Sequence, residues 1–170
     1  MAKTFRQPEN INFMSPLGFR FVVQDLPNTT WFLTSINLPG ITFGAAASGQ
    51  APTIDSIIAG DTLVFDPLNI TFVVDEDLQN WKEIYAWMIG LGFPHTTDEY
   101  KDFKKDRTSI YSDGSLTILN SNMNPNYIIT FTDLFPTSLS ELVFDSELTD
   151  VDPIKATVSF QYLTYTWKKV

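Results

Sequence analysis

From Ile154 to Trp167 the chain alternates like a β-strand and changes face midway, and no other stretch restricts the fold so tightly. Ala156, Val158, Phe160 and Tyr162 alternate with Thr157, Ser159 and Gln161, as a strand with one buried face requires; Leu163, Tyr165 and Trp167 continue on the opposite parity. Such a slip predicts a bulge or a bend. With aromatics on both faces, the segment carries more apolar surface than one domain needs to bury alone, which marks it as an assembly element. Val158, Phe160, Tyr162, Tyr165 and Trp167 are the candidates for an intersubunit strand.

A chain of 170 residues, 44% hydrophobic and 14% aromatic, is long enough for one domain with a real core. We expect a polar arm, residues 1–17, followed by a single domain, residues 18–170. The absence of cysteine removes disulfides, thiolate zinc sites and thiol nucleophiles together, and fits an intracellular folding environment. No apolar run approaches the roughly 20 residues needed to span a bilayer, and Met1 to Asn12 reads as neither signal peptide nor anchor, so no membrane partner is expected. The sequons at Asn28 and Asn69 therefore read as chance.

Charge narrows the partners. Twenty acidic against eleven basic residues give −9, and no Lys or Arg lies between Arg20 and Lys82 or between Arg107 and Lys155. Gripping nucleic acid takes a basic stripe that displaces counterions, and none exists here. A surface that lets a duplex slide past without sticking is compatible with the charge.

Along the chain, Phe19 to Val23 and Trp31 to Ile36 read as strands joined into a hairpin at Leu26-Pro27-Asn28. Gly44 to Pro52 is a small-residue stretch expected as a mobile loop or an extended hairpin tip. Gly60-Asp61 reads as a turn, Leu63 to Phe65 as a short strand and Leu68 to Val74 as a longer one. Then the period changes: Leu78, Trp81, Ile84, Tyr85, Met88 and Ile89 recur at helical spacing, with Lys82 and Glu83 turned outward and Gly90, Gly92 and Pro94 ending the helix. Asp113-Gly114 reads as a tight hairpin turn, and Asn120 to Asn126 as a turn-rich link. Tyr127 to Phe135 is a strand ended by Pro136, and Leu142 to Phe144 a shorter one. About eight strands and one principal amphipathic helix make a mainly β (α+β) fold, an antiparallel sandwich or half-barrel.

Catalytic equipment is sparse. The single histidine, His95, follows the helix with no visible partner, and the sequence holds no G-x-S-x-G, no phosphate-cradling loop and no His-rich zinc pattern. Asp75-Glu76-Asp77 reads as a helix start, where carboxylates suit the positive dipole end, rather than a cation loop. The mixed charges from Thr96 to Arg107 read as a solvated face. The aromatics read as core, because a stacking platform would interleave them with Lys and Arg. We expect no cofactor, no metal and no enzymatic activity.

The order of these pieces resembles the tail tube proteins of contractile-tailed bacteriophages, over roughly Phe19 to Trp167. The segment from Gly60 through the helix and the run Phe135-Pro136-Thr137-Ser138-Leu139-Ser140-Glu141-Leu142 carry most of the likeness. The resemblance implies a structural virion protein, assembled in the host cytoplasm, whose six copies form a ring with a β-lined channel for DNA. Stacked rings, sheath, baseplate or neck proteins would be its partners. A tube-initiating baseplate protein or tube-terminating neck protein of the same fold is the alternative, and a monomeric ligand-binding β-sandwich the alternative of another class. In position, Gly44, Ala46, Ser48, Gly49 and Gln50 correspond to the family's inter-ring loop, and the arm would reach the next ring. Six copies would carry 6 × −9 = −54, so carboxylates facing the bore would repel duplex phosphate.

Overall fold

The computed structural model describes residues 11–48, 56–92, 98, 101, 110–145 and 152–170. Among these, the elements run β1 (Phe19–Val23), α1 (Pro27–Trp31), β2 (Leu33–Ile36), β3 (Ile41–Ser48), β4 (Ser56–Phe65), β5 (Leu68–Val73), α2 (Gln79–Gly92), β6 (Ser112–Leu119), β7 (Pro125–Leu139), β8 (Lys155–Gln161) and β9 (Thr164–Lys169). The fold is mainly β and every strand pair is antiparallel, as the periodicity predicts.

Seven strands form one sheet in the order β1-β6-β7-β8-β5-β2, with β9 also paired to β7, and β3-β4 form a separate hairpin. The long β7 divides the sheet. Its first part lies between β6 and β9, whereas Phe135 to Leu139 pair with β8. One half is therefore β1-β6-β7-β9 and the other β2-β5-β8-β7. At the junction Asp133 adopts φ 56°, a left-handed conformation that Asp tolerates. Its N–H donates to Asp113 Oδ1 at 3.3 Å, and the β6–β7 register shifts beside it. The slip foreseen at the C-terminus is the matching event: β8 stops at Gln161, Leu163 N–H donates to Thr132 O at 2.9 Å, and β9 resumes in the other half. The terminal segment thus crosses between the two halves.

Several turn signals prove to be packing signals. Asp113-Gly114 lies inside β6; a Cβ on Gly114 would sit 3.2 Å from Phe21 Cζ, so glycine is there to admit that ring. Gly60-Asp61 lies inside β4, where a Cβ on Gly60 would come within 2.6 Å of Gly44 O. Gly60→Ala is accordingly expected to destabilise the β3–β4 hairpin by about 1–3 kcal/mol, read as a lowered thermal midpoint. The β6–β7 turn falls instead at Asn120–Asn124, where Asn120 Oδ1 accepts the N–H groups of Asn122 and Asn124. Pro136 does not end its strand. It sits beside a register shift in a segment paired on one side only, a place where a residue without an N–H is tolerated. Leu142 to Phe144 form no strand.

Nor do β1 and β2 form a hairpin: β1 pairs with β6 and β2 with β5, in opposite halves. Pro27 opens the short helix α1 between them, its fixed φ suiting a first helical position. Thr29 Oγ1 donates to Asn80 O at 3.2 Å and Thr30 Oγ1 to Leu26 O at 2.9 Å, which ties α1 to α2 and closes its first turn.

Helix α2 begins as the acidic triplet suggests. Asp75 Oδ2 and Oδ1 accept the N–H groups of Gln79 and Asn80, both at 3.1 Å. Ile84 and Trp87 are buried, and the Trp87 ring lies 6.2 Å from Phe160 with its Nε1–H donated to Ile110 O at 3.2 Å. Tyr85, expected to face inward, is exposed and stacks on Trp81 at 5.3 Å. Glu83, expected to face outward, is half-buried against α1 and accepts from Asn28 Nδ2. Burial raises its pKa, with the bonds from Asn28 and Thr29 working in the opposite direction. A carboxyl whose folded pKa is raised favours the fold below its unfolded pKa and loses that contribution as pH rises through the folded value. Glu83→Gln, a mimic of the neutral acid, is therefore expected to raise the thermal midpoint slightly at neutral pH. The gain should disappear as pH falls through the ordinary carboxylate range.

Candidate assembly surfaces

Two kinds of surface stand open. The first is edges: β1 and β9 end one half of the sheet, and β2 and Phe135 to Leu139 of β7 end the other, with no further strand paired to them among the described residues. Unpaired strand edges template pairing with another chain. The second is the β3–β4 hairpin. Ile41, Phe43 and Leu63 lie on one side of it and are about half exposed, with Phe43 directly opposite Leu63. Half-exposed large apolar side chains grouped on one face mark a contact surface.

The hairpin is anchored at its root by the terminal segment. Tyr162 OH donates to Asp66 O at 2.9 Å and Tyr165 OH to Pro39 O at 3.4 Å, while the Phe65 ring lies 6.0 Å from Tyr162 and 5.5 Å from Tyr165. Burial, then the neighbouring Tyr165 and Asp66, push the Tyr162 phenol up to about 12. Tyr165→Phe is expected to keep the fold but loosen the hairpin, which faster amide exchange in β3 and β4 would report.

The candidates read from sequence divide between core and surface. Val158 and Phe160 are fully buried and Tyr162 nearly so, and β8 is paired on both sides, by β5 and by β7. These three side chains pack the protomer's own interior: Val158 and Phe160 from β8, where no edge is open among the described residues, and Tyr162 from just past its end. Tyr165 and Trp167 lie on β9, whose outer edge is open, and Trp167 is 53% exposed. Gly44, Ala46 and Ser48 lie on β3, which pairs with β4 as far as Ser48 and Ser56, so the stretch is an extended hairpin rather than a loop from Gly44 onward. Gly49 and Gln50 lie outside the described residues, as do His95 and most of the charged run. Of that run, Lys101 Nζ pairs with Asp98 Oδ1 at 2.9 Å on the surface.

The sequence reading put Trp31 at the start of a strand, whereas it ends α1 and β2 begins only at Leu33; it gave Phe13 and Leu17 no surface role of their own. Trp31 ends α1 at 85% exposure, and Leu17, Val22, Trp31 and Leu33 line a surface groove of about 680 Å³ beside the β1 edge. The Pro27 start and the paired threonines after it were the available signal for a helix that throws Trp31 outward.

The space bounded by Phe21, Leu26, Leu33, Ile70 and Phe160 is about 10 Å³, scarcely one water, against the roughly 300–1,000 Å³ of small-molecule sites. The described residues contain no group of three or more His, Asp or Glu able to hold a metal ion, and no helix long and apolar enough to cross a membrane.

No protein-family profile matches the chain. It is 30% identical over 104 residues to the tail tube terminator protein of Enterobacteria phage T4, a match covering 53% of this chain and 51% of that protein. The chain thus spans about half the length of the curated relative it matches. Among solved structures, the anti-feeding prophage tube-terminating cap aligns over all of both chains with a TM-score of 0.67 at 15% identity. The fold is tail-tube-like. A second structure with this tail-tube-like fold, from the sheath/tube terminator of the PVC extracellular contractile injection system, covers 94% of this chain and 99% of its own with a TM-score of 0.64 at 13% identity. A third, from the sheath–tube complex of the same system, covers 92% of each chain at 0.55 and 15%. At these identities the structures speak for the tail-tube-like fold alone.

Proposed function

We propose that this chain is a structural, non-enzymatic protein that forms the terminating ring of a contractile phage tail tube. The observation that carries the reading is the sequence match to the T4 tail tube terminator. The tail-tube-like fold, with open edges on both halves of its sheet, supports it. The terminator is preferred to the repeating tube subunit, the first reading of the sequence, on that match.

The ring is hexameric and its interface is head to tail. The β9 edge and the hairpin rooted beside it, at Tyr162 and Tyr165, form one side; the β1 edge, at the opposite end of the same half-sheet, forms the other. Two different edges meeting in a repeated rotation close into a ring, whereas a patch meeting itself stops at a dimer. Tyr165 and Trp167 belong to this seam, and Val158, Phe160 and Tyr162 support it from within. The tip from Gly44 to Gln50 contacts the adjoining ring, as does the arm of residues 1–17 ahead of the single domain of residues 18–170. Assembly takes place in the host cytoplasm, the ring resides in the virion tail beside tube, sheath and neck proteins, and DNA passes through its bore.

Sizing and negative-stain microscopy of the purified protein test this reading. Six copies of 19.3 kDa give 6 × 19.3 = 115.8 kDa. A terminator should yield discrete rings of that mass, a repeating subunit should polymerise into long tubes, and a protein that stays monomeric at high concentration contradicts both.

A further inference from the structure

The β3–β4 hairpin and the groove beside β1 sit at opposite ends of the half-sheet β1-β6-β7-β9, and both belong to its buried side. Cross-strand register fixes that side. Val23 lies opposite Gly114, Gly114 opposite Phe131 and Phe131 opposite Tyr165, so Phe21 and Val23 on β1 share one face of the sheet with Tyr165 on β9. At the β9 end, Phe65 packs on the Tyr165 ring at 5.5 Å, and strand alternation puts Ile41, Phe43 and Leu63 on the same side of the hairpin as Phe65. These three are about half exposed, so beyond Phe65 the protomer leaves the hairpin's apolar side uncovered.

At the β1 end, α1 and the start of β2 stand over the same face, where Phe21 and Val23 meet Leu26, Thr30 and Leu33. Val22, Pro27, Trp31 and Leu33 border the groove of about 680 Å³ that opens at the β1 edge. Trp31 stands at its rim, 85% exposed. A tryptophan held in solvent beside an apolar cleft is the residue type that dominates an interface once a partner covers it.

We propose that this groove receives the β3–β4 hairpin of the adjacent copy, with Trp31 as the anchor against Phe43 and Leu63. The inference rests on the ring reading above and uses the same seam, β9 of one copy against β1 of the next. Rotation about a single ring axis turns the same face of every half-sheet the same way. The hairpin rooted on Tyr165 therefore arrives on the Phe21 and Val23 side of the neighbouring β1, which is the side where α1 and Trp31 stand. Charge agrees with a second copy as the occupant: Arg20 is the one charged residue lining the groove, Asp61 is the one charged residue of the hairpin strands, and both are exposed. Single charges of opposite sign at a rim help to fix register.

Photocrosslinking tests the contact directly. Phe43 is replaced by benzoylphenylalanine, isotopically labelled and unlabelled copies are mixed before ring assembly, and the links formed on irradiation are mapped by mass spectrometry. Links between copies, from position 43 to residues 27–34, are the expected result. Links from position 43 to another part of the neighbour, or within one copy alone, overturn the proposal while rings are still seen. The reciprocal variant carries the photoreactive group at position 31 and is expected to link to residues 41–43 or 63 of a neighbour; links to the arm of residues 1–17 instead would make that segment the occupant and overturn the proposal. Trp31→Ala is expected to weaken ring association about 30-fold or more, with little change in the thermal midpoint of the separated protomer. Unchanged association contradicts the anchor. Absence of rings from the wild type overturns the reading on which the proposal rests.

Discussion

Trp87→Ala is expected to cost about 3–5 kcal/mol of stability, the largest single effect on the fold. Three losses coincide. The indole is 1% exposed, so its removal leaves a cavity beneath α2. Its ring contact with Phe160, at 6.2 Å between centroids, disappears from the point where helix and β8 meet. Its Nε1–H no longer satisfies Ile110 O, formerly 3.2 Å away, just before β6. For a domain of this size each kcal/mol shifts the thermal midpoint by about 2–4 °C, so a fall of about 6–20 °C should be seen by circular dichroism. Trp87→Phe, which keeps most of the volume but loses the donor, should fall between. A change below about 1 kcal/mol for Trp87→Ala would mean that α2 is not seated on the sheet as described.

The second large effect concerns assembly and should leave the fold intact. Phe43→Asp combined with Leu63→Asp places two carboxylates, one opposite the other, on the apolar side of the β3–β4 hairpin. The native side chains are 53% and 49% exposed, so the separated protomer should lose little stability. In a ring, burial of Phe43 and Leu63 contributes about 3 kcal/mol or more together, roughly a hundredfold in association, and burying two charges costs further. The expected outcome is a folded monomer at concentrations where the wild type is assembled. Unchanged assembly would remove the hairpin from the seam.

The parts of the fold legible in the sequence were those with a strong period. The slip after Tyr162 marked the passage of the terminal segment between half-sheets, and Asp75 marked the start of α2. What failed was the reading of glycine and proline as punctuation. Gly114 and Gly60 lie inside strands because Phe21 and the Gly44 backbone come too close for a Cβ, a long-range fact that no local window contains. Pro136 is tolerated because its neighbourhood is an edge, which only the topology reveals. The site was legible in the same uneven way. Tyr165 and Trp167 lie on an open-edged strand, but alternation alone does not distinguish an outer edge from the doubly paired β8, where Val158 and Phe160 are buried.

In the proposed ring, the sheet of one protomer is completed only by its neighbours. Val22→Cys on β1 and Thr166→Cys on β9 place one thiol on each open edge, both on the solvent side of their strands, in a chain with no other cysteine. Mild oxidation of an equimolar mixture of the two single variants should yield a dimer bridged specifically between them, detected by non-reducing electrophoresis and peptide mass mapping, because strand pairing of the two edges brings matching faces together. A mixture that stays monomeric under oxidation, while rings are visible by microscopy, would contradict closure through these edges.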